Sequence, residues 1–87
     1  MMQKSIEIKL PKGLEATPVA MLVQIASQFE SSIYLEAEGK KVNAKSIMGM
    51  MSLALDNGEE VTLICDGVDE VEAEKKLEEY LLGNGQS

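Results

Sequence analysis

Between Ser5 and Leu10 the chain alternates, with Ile6, Ile8 and Leu10 apolar and Ser5, Glu7 and Lys9 polar. A period of two sends neighbouring side chains to opposite faces, so this segment is predicted to be a half-buried strand. Pro11, Lys12 and Gly13 end it. The period then changes. In PVAMLVQIASQFESS, Val19, Leu22, Val23, Ala26 and Phe29 fall on one helical stripe. Thr17 is the expected N-cap, and Pro18 suits the first helical position, where its missing N–H costs nothing.

SIYLEAEGKKVN reads as a hairpin: Ile33 and Leu35 point inward, Glu38-Gly39 turns, and Val42 returns. AKSIMGMMSLAL reads as a short helix that Gly49 weakens. Asp56-Asn57-Gly58 is a turn signal. EEVTLICDG alternates again, with Val61, Leu63 and Cys65 on one face. DEVEAEKKLEEYLL is the last helix, with Ala73, Leu77 and Leu81 as its buried stripe. Asp69 and Glu72 have capping-box spacing, and Glu72 can pair with Lys76 one turn on. Gly83 ends the helix and residues 83–87 are expected to fray.

The order is β-α-β-β-α-β-α within one domain, residues 1–87. Amphipathic strands with one polar face predict an α/β (α+β) fold: an open-faced β-sandwich, in which three helices cover a four-stranded antiparallel sheet. A net charge of −7 argues against nucleic acid or an anionic membrane as partner. No apolar run is long enough to span a bilayer, and MMQKSIEIKL lacks a signal-peptide core, so the expected location is the cytoplasm. Without histidine, and with the single Cys65, neither a transition-metal site nor an internal disulfide is expected. No cofactor is expected either. Cys65 reads as a core residue, and the acidic run from Asp66 to Glu79 as a solvated helix face.

Two stretches carry a resemblance. KVNAKSIMGMMSLAL, Lys41 to Leu55, resembles the regulatory region of the HPr phosphocarrier proteins of the bacterial sugar phosphotransferase system. Its specific part is a serine after lysine, then Ile-Met-Gly. GLEATPVA, residues 13–20, stands where those proteins carry Gly-hydrophobic-His-Ala-Arg-Pro. The likeness covers nearly the whole chain in the same element order.

The resemblance implies a phosphoryl-carrying histidine at position 15 and a helping arginine at 17, where this chain has Glu15 and Thr17. Imidazole serves because its neutral nitrogen both attacks a phosphoryl donor and leaves readily. Glu15 could form an acyl phosphate. Its charge would repel the donor, however, and Thr17 supplies no cation. A solvated acid stabilised by the helix dipole is the preferred reading of Glu15. A third reading, ranked below it, makes Glu15 a permanent imitation of the phosphohistidine charge.

Ser46 is the better candidate for chemistry. The resemblance implies phosphorylation there by a serine kinase of the HPr kinase/phosphorylase type, within Lys45, Ser46, Ile47, Met48, Gly49 and Met51. The modified protein would act as corepressor for a catabolite-control transcription regulator, or on other phosphotransferase-system proteins. A helix N-terminus accepts a phosphate readily. On position alone Ser46 is an N-cap worth about 1 kcal/mol. Met50 and Leu53 fit a core stripe that Ile47, Met48 and Met51 cannot all share. An exposed methionine patch suits protein partners, while a wider buried stripe is the plain alternative. Partner contacts are expected at Ile47, Met48 and Met51, with Glu15, Ala16, Thr17 and Ala20.

The chain is thus expected to be a non-enzymatic regulator, close to the catabolite-repression HPr paralogues that lack the histidine. The alternatives are phosphoryl transfer through Glu15, or an interaction domain with neither modification. Thr17 weakens the corepressor role, since the family's arginine there pairs with the serine phosphate and the regulator. Glu15 should be exposed, with Glu15 and Ser46 at helix N-termini on one end of the molecule. Pro11 also makes residues 1–11 a candidate for strand exchange between chains, although Gly13 favours folding back.

Overall fold

The computed structural model describes residues 1–83, and the expected tail at 84–87 lies outside the described residues. The elements are β1 (Met2–Glu7), α1 (Ala16–Ala26), β2 (Ser32–Ala37), β3 (Lys40–Asn43), α2 (Ile47–Met51), β4 (Glu60–Asp66) and α3 (Glu70–Leu81). The strands form one antiparallel sheet in the order β1-β4-β2-β3. This is the expected open-faced sandwich.

Alternation sets the faces. Val61, Leu63 and Cys65 of β4 are buried, as are Ile33 and Leu35 of β2 and Ile6 of β1. Leu35 lies opposite both Leu63 and Val42. The helices close this face with Val19, Leu22 and Ala26 from α1, Met50 from α2, and Ala73, Leu77 and Leu81 from α3. Full burial of each large apolar side chain stabilises by roughly 1.5–3 kcal/mol. The open face is not wholly polar. Ile64 is buried there between Gln3 and Tyr34. Lys41 Nζ sits 4.7 Å from the Tyr34 ring centre. The β2–β3 turn is where the pattern placed it, with Glu38 at φ 52° and Gly39 at φ 77°, the left-handed pair of a tight two-residue hairpin. No helix among the described residues is long and apolar enough to cross a membrane.

Several boundaries differ from expectation. β1 spans Met2–Glu7 rather than 5–10. Ile8 still exchanges backbone bonds with Glu59 and Gly58, but the Lys9 N–H turns to the Leu81 carbonyl at 2.8 Å, so the chain leaves the sheet. α1 begins at Ala16, one residue before the expected Thr17 cap, and Glu15 takes the cap position without a side-chain bond. Phe29 lies in the turn after α1 and packs partly buried against the core. α2 is only five residues long. The Ser52 hydroxyl donates to the Gly49 carbonyl at 2.6 Å, and Ala54 adopts φ 48°, which ends it.

Asp69 holds the N-cap position of α3 but makes no capping bond. Its carboxylate instead accepts the N–H groups of Glu30 and Ser31, at 2.9 and 3.0 Å, and the buried Ser31 hydroxyl. These bonds tie the α1–β2 connection to the start of α3. They hold the Asp69 carboxyl below its usual range, the Ser31 hydroxyl most strongly. That stabilisation is present above the ordinary carboxylate pKa and is lost as pH falls through the lowered one. Glu72 and Lys76 are not among the ion pairs of the described residues, which join Met1 to Asp66 and Glu70, and Lys4 to Glu78.

Candidate functional site

The loop before α1 is fixed by backbone. Leu10, Pro11, Lys12 and Gly13 form a turn closed by the Gly13 N–H on the Leu10 carbonyl at 2.8 Å. Proline favours the second position of such a turn. Gly13 has φ 65°, and a Cβ there would lie 2.4 Å from the Leu55 carbonyl oxygen. Next, the Leu14 N–H donates to that same carbonyl at 2.7 Å while its side chain is buried. Glu15 then emerges exposed and extended, its own carbonyl accepting the Val19 N–H at 2.9 Å.

Glu15, Ala16, Thr17 and Ala20 are all exposed, as expected. No side chain caps α1, so its first N–H groups face outward uncapped. A groove of about 560 Å³ runs beside them, lined by Leu10, Pro11, Lys12, Glu15, Ala16, Thr17, Pro18 and Tyr80. Burial raises the Tyr80 phenol pKa, which keeps it a neutral hydrogen-bonding group. Lys12 and Tyr80 were not foreseen from sequence. Lys12 reads there as part of a turn, and Tyr80 reaches the groove from the far end of the chain.

Ser46 is the N-cap of α2. Its Oγ accepts the Gly49 N–H at 3.2 Å and its carbonyl the Met50 N–H at 3.0 Å. The approach is held from both sides: Asn43 Oδ1 accepts the Lys45 N–H at 2.8 Å, and Lys45 Nζ donates to the Phe29 carbonyl at 2.7 Å. Ser46 is half-buried, so its hydroxyl meets both cap and solvent. Gly49 fits this turn closely. A Cβ there would reach van der Waals contact with Ser46 and Val42.

The α2 surface divides as expected. Met50 is fully buried, whereas Ile47, Met48 and Met51 are 54%, 85% and 45% exposed. α1, packed against α2, adds Met21 at 42% exposed. Met21 lay off the apolar stripe of α1, which was the available signal for its exposure.

Glu15 and Ser46 are both at helix N-termini, but they do not share one end. Leu14 binds Leu55, beyond the end of α2, while Lys45, before α2, binds Phe29, beyond the end of α1. The two helices therefore run antiparallel and their N-termini point opposite ways.

Residues 2–82 match the family model described as "PTS HPr component phosphorylation site". The chain belongs to the HPr family. It is 56% identical over 81 residues to the HPr-like protein Crh of Bacillus subtilis, covering 93% of this chain and 95% of the relative. The crystal structure of HPr-C-His from Thermoanaerobacter tengcongensis superposes with a TM-score of 0.92 at 48% identity, covering 98% and 96% of the two chains. The crystal structure of Bacillus subtilis Crh, described as a swapped dimer, gives a TM-score of 0.80 at 52% identity, with both chains fully covered. In this chain the groove combines an α1 N-terminus without a side-chain cap with Glu15 and Thr17. The Ser46 turn carries the run Lys45-Ser46-Ile47-Met48-Gly49.

Proposed function

We propose that this HPr-family chain is a cytoplasmic regulatory or adaptor protein of sugar phosphotransfer and carbon catabolite control. It is switched by phosphorylation of Ser46, is not an enzyme, and does not carry phosphohistidine. The observation that carries this reading is the placement of Ser46 as the cap of α2, next to exposed Ile47, Met48 and Met51. A phosphate on Oγ would meet the Gly49 N–H already aimed at that atom. It would also set a dianion at the edge of an apolar patch. A partner offering cations beside an apolar pocket then binds the modified form and not the free one. The kinase would be of the HPr kinase/phosphorylase type, and the partner a catabolite-control transcription regulator or another phosphotransferase-system protein. Incubation with such a kinase and ATP should place one phosphate on Ser46, located by mass spectrometry of the peptide, and none on Ser46→Ala. Phosphate on another residue, or none in the protein from its native host, would overturn the reading.

The turn after β1 also bears on assembly. β1 is an edge strand that pairs only with β4, so it could be exchanged as residues 1–11. The hydrogen bond between Gly13 and Leu10, with the tie between Leu14 and Leu55, supports the closed monomer instead. Wild type and Pro11→Ala should both sediment as monomers. A dimer fraction in wild type that falls in Pro11→Ala would show exchange through an extended proline hinge.

A further inference from the structure

α3 turns a row of carboxylates toward β1. Glu70, Glu74 and Glu78 recur every fourth residue and share one face of the helix. β1 and the residue before it supply a cation to each end of the row. The Met1 ammonium lies 3.0 Å from Glu70 Oε2, and Lys4 Nζ lies 2.7 Å from Glu78 Oε2. The middle member makes no ion pair of its own among the described residues. Against the solvated face expected of the acidic run Asp66 to Glu79, Glu74 is only 8% exposed because it lies under β1, and its Oε2 has no hydrogen-bond partner among the described residues. Between Met1 and Lys4 the helix-facing residue is Met2, opposite Cys65, and a thioether cannot answer a carboxylate.

Ionised, this arrangement is unfavourable. A buried carboxylate oxygen lies unsolvated, and two carboxylates compete for the single Lys4. Protonated, Glu74 can donate to Glu78 while Glu78 keeps Lys4. Burial first, then Glu78, raises the Glu74 pKa, and Lys4 opposes this. Lys4 first, then Glu74, lowers that of Glu78. From β4 the facing titratable group is the Cys65 thiol, pushed up to about 11 mainly by burial and therefore neutral here.

We propose that Glu74 is a proton-operated latch on β1: protonated and bonded to Glu78 it keeps the strand seated against α3, and ionised it releases the strand. β1 is suited to local release because it has a single strand neighbour. Its opening lets water reach Glu74. The closed state binds the proton more tightly, so the latch is fully engaged below the ordinary glutamate pKa and is lost as pH rises through the raised one. The depressed Glu78 acts the other way, contributing above its ordinary pKa and failing only in stronger acid. β1 is therefore held most tightly between the two titrations of the pair.

Amide hydrogen exchange of β1, corrected for the intrinsic pH dependence of exchange, tests this. In wild type the opening constant of Met2–Glu7 should climb by up to about tenfold per pH unit between the ordinary and raised pKa values, then level off. Glu74→Gln keeps a donor without a charge and should give a low, flat profile. Met2→Lys should also flatten it, by supplying the missing cation, and a carbon-13 titration should show the Glu74 pKa falling. The same slope in wild type and Glu74→Gln, no slope in wild type, or a slope shared equally by amides of α1 and β2 would each overturn the latch.

Discussion

The double substitution Glu15→His, Thr17→Arg should give the chain some phosphoryl acceptance. Both positions are exposed, and Glu15 makes neither a cap nor an ion pair among the described residues, so the exchange leaves the core untouched. What a transferred phosphoryl group needs is already in place: uncapped N–H groups at the start of an 11-residue helix, and Lys12 in the wall of the groove. Missing are a neutral nucleophile that leaves readily and a cation one turn into the site. With labelled phosphoenolpyruvate and the first enzyme of the phosphotransferase system, the variant should take up acid-labile label while wild type stays at background. Glu15→His alone should label more slowly. Hydroxylamine-labile label in wild type would reverse the reading of Glu15 as a solvated acid. An unlabelled double variant that still folds would show that the relay needs more than these two residues.

Gly13→Ala should cost about 3 kcal/mol of stability, a large part of what a chain of this size has to lose. Two terms add. A left-handed backbone costs an L-residue about 1–2 kcal/mol, and Gly13 has φ 65°. In addition, the new Cβ would stand 2.4 Å from the Leu55 oxygen and 2.7 Å from the Asp56 Cα. Those are main-chain atoms, so no rotamer change relieves the overlap. The loops must part, stretching the bond between Leu14 and Leu55. Gly39→Ala is the control, because φ there is 77° and nothing lies within 4 Å. It should lose only the backbone term. Urea unfolding of both variants measures the difference, and equal losses would show that the close approach of Gly13 to residues 55 and 56 is soft.

Where one face of an element is read by the core, the sequence is a sufficient guide. The alternation of Val61, Leu63 and Cys65 and the stripe of Ala73, Leu77 and Leu81 follow from periodicity, which also shows that Ile47, Met48 and Met51 cannot all be buried, whereas the structure exposes all three. The turn at Glu38-Gly39 is legible too. What escaped depends on partners far along the chain. Asp69 has the spacing of a local cap, yet its carboxylate goes to Glu30 and Ser31 because the α1–β2 connection brings their N–H groups within reach. β1 ends early because Lys9 finds the Leu81 carbonyl. Lys4 was read as lying outside the first strand. It lies within it and reaches α3, a charge at the edge of the sheet that also opposes pairing with another sheet. The groove was missed for the same reason, since Tyr80 enters it from the last helix.

The loop at Glu15 is held by main chain, through the Gly13 turn and the tie from Leu14 to Leu55, and not by the side chains that would do chemistry. Selection can therefore rewrite positions 15 and 17 without endangering the fold. Reactivity and stability are thus separable at this end of the molecule: exchanging the exposed side chains at 15 and 17 changes what the loop can react with and leaves untouched the main-chain bonds by which it forms.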